Sequence, residues 1–122
     1  MASTKAVTVL FQAETLTASE ADETSALATL DDGWGATLHV KITNGATGPT
    51  IAAKVQIQVS ADNSEWYDFG GPLVGSTVSS EVVSYGGIDI PIGVEYLRLL
   101  AGSNTGQAVT VDADISEVTA LA

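Results

Sequence analysis

"VQIQVSADNSEWYDF", residues 55–69, decides the fold class. Its first half alternates, with Val55, Ile57 and Val59 set apart by Gln56 and Gln58, and a period of two puts successive side chains on opposite faces of a strand. Asp62-Asn63 then breaks the alternation with residue types that favour tight turns. Trp66, Tyr67 and Phe69 follow at once, so the stretch reads as a β-hairpin. A two-residue turn pairs Val59 with Trp66, sends the indole into the core and leaves Tyr67 outward.

Outward from this stretch the same period recurs. Leu38, Val40 and Ile42 alternate with Thr37, His39, Lys41 and Thr43, and Val109, Val111, Ala113 and Ile115 alternate with Thr110, Asp112, Asp114 and Ser116. Val7, Val9 and Phe11 predict an opening strand, "TSALATL" and "EVVSY" short ones, and "VEYLRLLA" a long one. Turn formers separate them about every ten residues, as in antiparallel sandwiches and barrels: Asp31-Asp32-Gly33, Asn44-Gly45, Gly48-Pro49, Gly70-Gly71-Pro72 and Gly86-Gly87. The polar run 15–23 reads as a loop. The expected fold is all-β, one antiparallel β-sandwich over residues 1–122 of immunoglobulin-like or jelly-roll-like type, with a small β-barrel as the alternative.

Two strand registers follow from matching apolar to apolar. Pairing β-strand 36–43 with 54–60 as a hairpin sets Ile42 against Val55, Val40 against Ile57 and Leu38 against Val59. Pairing the last two strands sets Leu99 against Val111, Leu97 against Ala113 and Arg98 against Asp112. Trp34, behind the Asp-Asp-Gly turn, is expected to be partly packed.

Fifteen Asp and Glu against four Lys and Arg give a formal net charge of −11. Such a surface repels phosphate backbones and anionic headgroups, so neither nucleic acid nor membrane is an expected partner. The carboxylates are dispersed among 45% hydrophobic residues, which points to a folded acidic domain and not a disordered one. There is no cysteine, hence no disulfide framework, thiolate metal site or cysteine nucleophile. No signal-peptide-like run and no apolar stretch long enough to span a bilayer stands out, so the chain is expected to be soluble and unexported.

Chemistry-bearing residues are sparse. As a cation loop, residues 62–68 fail on spacing, because Trp66 and Tyr67 occupy the fifth and sixth positions, where an oxygen ligand and a glycine belong. The one histidine, His39, sits on the polar side of a strand beside Thr37 and Lys41 and as a catalytic base would need a further partner. Asp31-Asp32 reads as a turn and Asp112 with Asp114 as a solvated strand face. No phosphate loop or nucleophile elbow is present. No catalytic residue, metal or cofactor is expected. The less bland features are a contact patch of Tyr96, Arg98 and Leu100 on one strand face and an N-terminal arm, residues 1–12, carrying Val7, Val9, Leu10 and Phe11. Tyr and Arg are enriched in protein interfaces, and an ordered terminal strand offers an edge for added strands.

The order of an opening strand, "GWGATLHVKITNGA" (33–46), the hairpin with Ser60, Asp62 and Trp66, and "YLRLLAGSNTGQAVTVDADI" (96–115) resembles the small structural proteins of tailed-phage virions, in particular capsid decoration proteins. The likeness covers most of the chain and departs from the common Asp-Gly hairpin at Asp62-Asn63. It implies a non-enzymatic protein made in the host bacterial cytoplasm and carried on the capsid exterior. Its implied partner is the major capsid protein, whose subunits it bridges, with self-association as a dimer or trimer. The alternative is a glycan-binding β-sandwich of a phage fibre or secreted protein, stacking sugars on Tyr67, Tyr85 or Tyr96.

Overall fold

In a computed structural model that describes residues 4–30 and 35–120, every regular element is a β-strand. The strands are β1 (Thr4–Leu16), β2 (Glu23–Thr24), β3 (Ala28–Thr29), β4 (Ala36–Asn44), β5 (Lys54–Ser60), β6 (Tyr67–Asp68), β7 (Leu73–Val74), β8 (Val82–Ile90), β9 (Tyr96–Gly102) and β10 (Val109–Ala120). One sheet has the order β1-β10-β4-β8. The other runs β2-β9-β5-β6, with β3 beside β2 along β9 and β7 beside β6 along β5. All pairings between these strands are antiparallel.

The chain passes from sheet to sheet at six of its nine connections, and its pairings nest: β1 with β10, β2 and β3 with β9, β4 with β8, β5 with β6 and β7. Rolling that nested ribbon over brings β10 against β4 and β9 against β5. This is the jelly-roll form of the β-sandwich. The expected sandwich is therefore found, and the barrel alternative is not.

Alternation identified the inward faces correctly. Leu38, Val40 and Ile42 of β4, Val55 and Ile57 of β5, Leu97 and Leu99 of β9, and Val109, Val111 and Ile115 of β10 are all buried in one core. Removing these side chains from water is the main driving term for a chain without disulfides.

Neighbour identity differs from both expected registers. Strand β4 does not pair with β5: Val40 lies beside Ala113 and Tyr85, while Ile57 lies beside Leu99. Nor does β9 pair with β10; Arg98 stands opposite Gln58, and Asp112 opposite Lys41. The apolar rows expected side by side instead belong to the two opposed sheets of one core. Residues 45–53 and 103–108, read as hairpin turns, are sheet-to-sheet crossings that bond to each other: the Thr50 amide donates to the Thr105 carbonyl at 2.7 Å, and the Thr105 amide to the Ile51 carbonyl at 3.2 Å.

The hairpin from β5 to β6 is present with a one-residue difference in register. Val59 pairs with Tyr67, and Gln58 with Asp68. The cause is the Asp62 carboxylate, whose Oδ1 accepts the amides of Ser64 at 2.9 Å and Glu65 at 3.0 Å and so widens the turn. Asn63 takes the left-handed conformation at φ 58°, which asparagine tolerates. Since side chains alternate, this slip moves Trp66 out of the core onto the outer face, where it is half-buried. The Asp31-Asp32-Gly33 turn and Trp34 lie outside the described residues.

The same amides, followed by the Ser60 hydroxyl, hold the Asp62 carboxyl below the ordinary carboxylate range. A depressed folded pKa means that the turn's contribution is present above the unfolded value and fades as pH falls through the folded one. An NMR titration should therefore place the Asp62 midpoint below that of an unstructured aspartate. In Asp62→Asn the acid-dependent change in the Ser64 and Glu65 amide shifts should vanish; an ordinary midpoint for Asp62 would contradict the assignment.

Candidate functional site

Two surface features carry the residues singled out in the sequence, on different sheets. The first is the outer face of the β9-β5 sheet. Tyr96, Arg98 and Leu100 project from β9 away from the buried Leu97, Leu99 and Ala101, and all three are half-buried. Across the ladder Arg98 meets Gln58, and its Nε donates to Gln58 Oε1 at 2.9 Å. The guanidinium lies over the Trp66 ring, 4.2 Å from its centroid. Gln58 Nε2 in turn donates to Asp68 at 3.1 Å. The one arginine is thus pinned by a hydrogen bond on one side and a cation–π contact on the other, which sharply limits its rotamers before any partner arrives. Trp66 is the member of this patch that the sequence reading missed, because the assumed turn length put it inside.

The second feature is β1. Val7 and Val9 are 65% and 52% exposed on the outer face of the β1-β10-β4-β8 sheet. Leu10 and Phe11, expected to belong to the same contact arm, are instead buried in the core. The register shifts between Val9 and Phe11, so the strand alternates outward up to Val9 and then turns two successive side chains inward. A second irregularity follows at Ala13, at φ 47°, whose amide donates to Asp112 Oδ1 at 2.8 Å.

The remaining candidates are dispersed. His39 is exposed beside a bulge in β8, where its Nδ1 accepts the Gly87 amide at 3.3 Å and Gly87 takes φ 69°. It stands opposite Asp114 in the ladder, with Lys41 opposite Asp112, in a shallow open groove of about 310 Å³. Ring contact with a backbone amide makes His39 an anchor for the bulge. Tyr85 is turned toward the core and its hydroxyl donates to the Val74 carbonyl at 2.7 Å, which removes it from a sugar-stacking surface. Tyr67 is 62% exposed at the sheet edge, beside a groove of about 230 Å³ formed with Val59, Ala61 and Val94. The carboxylates of residues 62–68 point to separate partners: Asp62 to the turn amides, Glu65 to the Tyr67 hydroxyl, Asp68 to Gln58. Among the described residues no three His, Cys, Asp or Glu side chains are grouped as a metal ion requires.

No protein-family model matches the chain, and no curated protein matches it in sequence. Solved structures do match its fold. The SPBc2 prophage-derived protein YomS superposes with a TM-score of 0.59 at 15% identity, covering 96% of each chain. VP2 of the infectious bursal disease virus subviral particle gives 0.55 at 7% identity over 93% of this chain and 31% of its own. The K1 cleaved adhesin domain of Lys-gingipain from Porphyromonas gingivalis W83 gives 0.52 at 12% identity over 92% and 72%. At such identities the likeness is one of fold, and one fold carries many functions. Among the described residues no helix is long and apolar enough to cross a membrane.

Proposed function

We propose that this protein is a non-enzymatic structural component of a phage virion, seated on the outer surface of the capsid and bridging neighbouring major capsid subunits. The observation that carries this reading is the preorganised patch of Arg98, Trp66, Tyr96 and Leu100 on a rigid outer sheet face. Aromatic and arginine anchors that lose little freedom on docking are what make an energetic centre in a protein interface. The sandwich's likeness to a prophage-derived protein along 96% of each chain, and to VP2 of a viral subviral particle along 93% of this one, supports the same reading. A surface of net charge −11 also avoids competition with capsid proteins for packaged nucleic acid. Occupancy of many symmetric sites would stabilise the shell by mass action, because the protein binds the assembled lattice.

The test is co-sedimentation with purified capsids that lack the protein, followed by heating of the decorated shells. Wild type should be retained and should raise the temperature of shell rupture. Arg98→Glu should lose retention by about tenfold or more, since it reverses the charge of the pinned anchor. Absence of wild-type binding, or full binding by Arg98→Glu and Trp66→Ala alike, would count against capsid decoration. In that event the exposed Tyr67 and its groove make glycan stacking the reading to pursue, by a glycan array comparing wild type with Tyr67→Ala.

A further inference from the structure

The two sheets have four edges, and three of them are blunted. Both edges of the β9-β5 sheet are broken into two-residue pieces, β2 with β3 and β6 with β7. The β8 edge carries the Gly86-Gly87 bulge, where two residues between Tyr85 and Ile88 stand against one, His39, between Leu38 and Val40. Short edge strands and bulges are how folded proteins prevent unwanted strand addition. β1 is different. Its residues 5–9 keep an uninterrupted register against β10, and among the described residues no strand lies on the other side. Only beyond them is the edge covered, where the Ala26 amide donates to the Leu10 carbonyl at 3.2 Å.

Charge is compatible with pairing along the same segment. In a chain of net charge −11 no Asp or Glu precedes Glu14, and the segment carries Lys5. Two copies that meet along residues 5–9 therefore bring no carboxylate of these strands into opposition, and present the outward Val7 and Val9 to each other.

We infer that the free edge of β1, residues 5–9, pairs antiparallel with the same edge of a second copy about a two-fold axis through Val7. A two-fold interface is self-complementary, so this register sets Val7 against its own copy and Lys5 against the copy's Val9. Valine opposite valine is a favourable cross-strand pair. On the outer face Val9 is followed by Asp114 in the next strand. The copy's Lys5 therefore lies in one row with Val9 and Asp114, about 10 Å from the aspartate between Cα atoms, a span that a lysine and an aspartate side chain close together. The dimer joins the two β1-β10-β4-β8 sheets into one and leaves the Arg98 and Trp66 patch of each copy unobstructed on the other sheet. This pairing goes beyond the capsid reading and stands without it; if both hold, two patches per dimer give bridging its bivalence.

Sedimentation velocity on the purified full chain without capsids should show a reversible dimer. Val7→Glu sets two carboxylates directly opposite each other and should raise the dissociation constant by about tenfold or more, with an unchanged circular dichroism spectrum. Val82→Glu, the same change on the exposed β8 edge, should leave it unaltered. The chain has no cysteine, so Val7→Cys supplies a single thiol. Two copies of residue 7 face each other at about 4.5–5.5 Å between Cα atoms, within disulfide range, and mild oxidation should link them. Lys5→Cys copies, about 14 Å apart between Cα atoms, should stay unlinked. A monomer at all concentrations, a trimer, a Val7→Glu protein that dimerises like wild type, or linkage through Lys5→Cys but not Val7→Cys would each overturn the pairing. None of these readouts involves a capsid, so failure here is separable from failure of the decoration assay.

Discussion

Leu99→Ala is expected to destabilise the fold by roughly 3–4 kcal/mol, lowering the melting temperature by roughly 10–15 °C. Leu99 has no exposed surface and lies beside Ile57 at the centre of the β9-β5 pairing, facing the buried row from the opposite sheet. Truncation there loses the transfer energy of the leucine side chain and leaves a void that two hydrogen-bonded sheets cannot collapse to fill. Trp66→Ala, although it removes a larger side chain, should cost only about 1–2 kcal/mol, because it removes a half-buried ring and one surface cation–π contact. The contrast is the informative part. Had the hairpin turned on a two-residue loop, Trp66 would be the core residue and the order of the two effects would reverse. Chemical denaturation of both variants decides it: a larger loss for Trp66→Ala than for Leu99→Ala would mean that the register of β5 and β6 is wrong.

Asn104→Asp is expected to be comparably damaging at neutral pH, at roughly 3–5 kcal/mol, and to recover in acid. Asn104 is 1% exposed, and its Nδ2 donates to the carbonyls of Leu16 and Gln107, each at 2.9 Å. It thereby ties the end of β1 to the crossing between β9 and β10, a crossing further held by the Ser19 amide on the Asn104 carbonyl at 2.9 Å. An aspartate at this place would set a buried anion against two carbonyl oxygens with no donor to offer them. Burial and those oxygens both raise the folded pKa of such a carboxyl above its unfolded value near 3.9, so the folded state holds the proton more tightly. Stability of the variant should then fall as pH rises through and beyond about 4, and return on acidification. Asn104→Ala, which loses both donors without adding charge, should cost about 2–3 kcal/mol with little dependence on pH. Denaturant melts of the three proteins between pH 4 and 8 test this; equal pH dependence in all three would remove the buried-anion argument.

Part of this molecule was legible in its amino-acid order because a strand's face preference is local. Leu38, Val40 and Ile42, or Leu97 and Leu99, alternate with polar residues whether or not any partner is specified, and all of them are found inside. Alternation says nothing about which strand lies alongside. Ile42 and Val55 satisfy the pattern equally well side by side in one sheet or on opposed sheets of one core, and the nested long-range pairings of a jelly roll choose the second. The patch of Tyr96, Arg98 and Leu100 was visible on its strand because all three share a parity; Trp66 joins it only because a carboxylate at Asp62 captures two turn amides and shifts the register by one. Val7 and Val9 were legible as members of an opening strand that could contact a partner, and they are exposed, whereas the inward turn of Leu10 and Phe11 comes from a bulge set against β10, a strand about a hundred residues away in the chain. Side-chain period is fixed by backbone geometry within a few residues. Strand neighbours, bulges and free edges are settled by loop closure and packing across the whole chain, and only the folded structure contains that information.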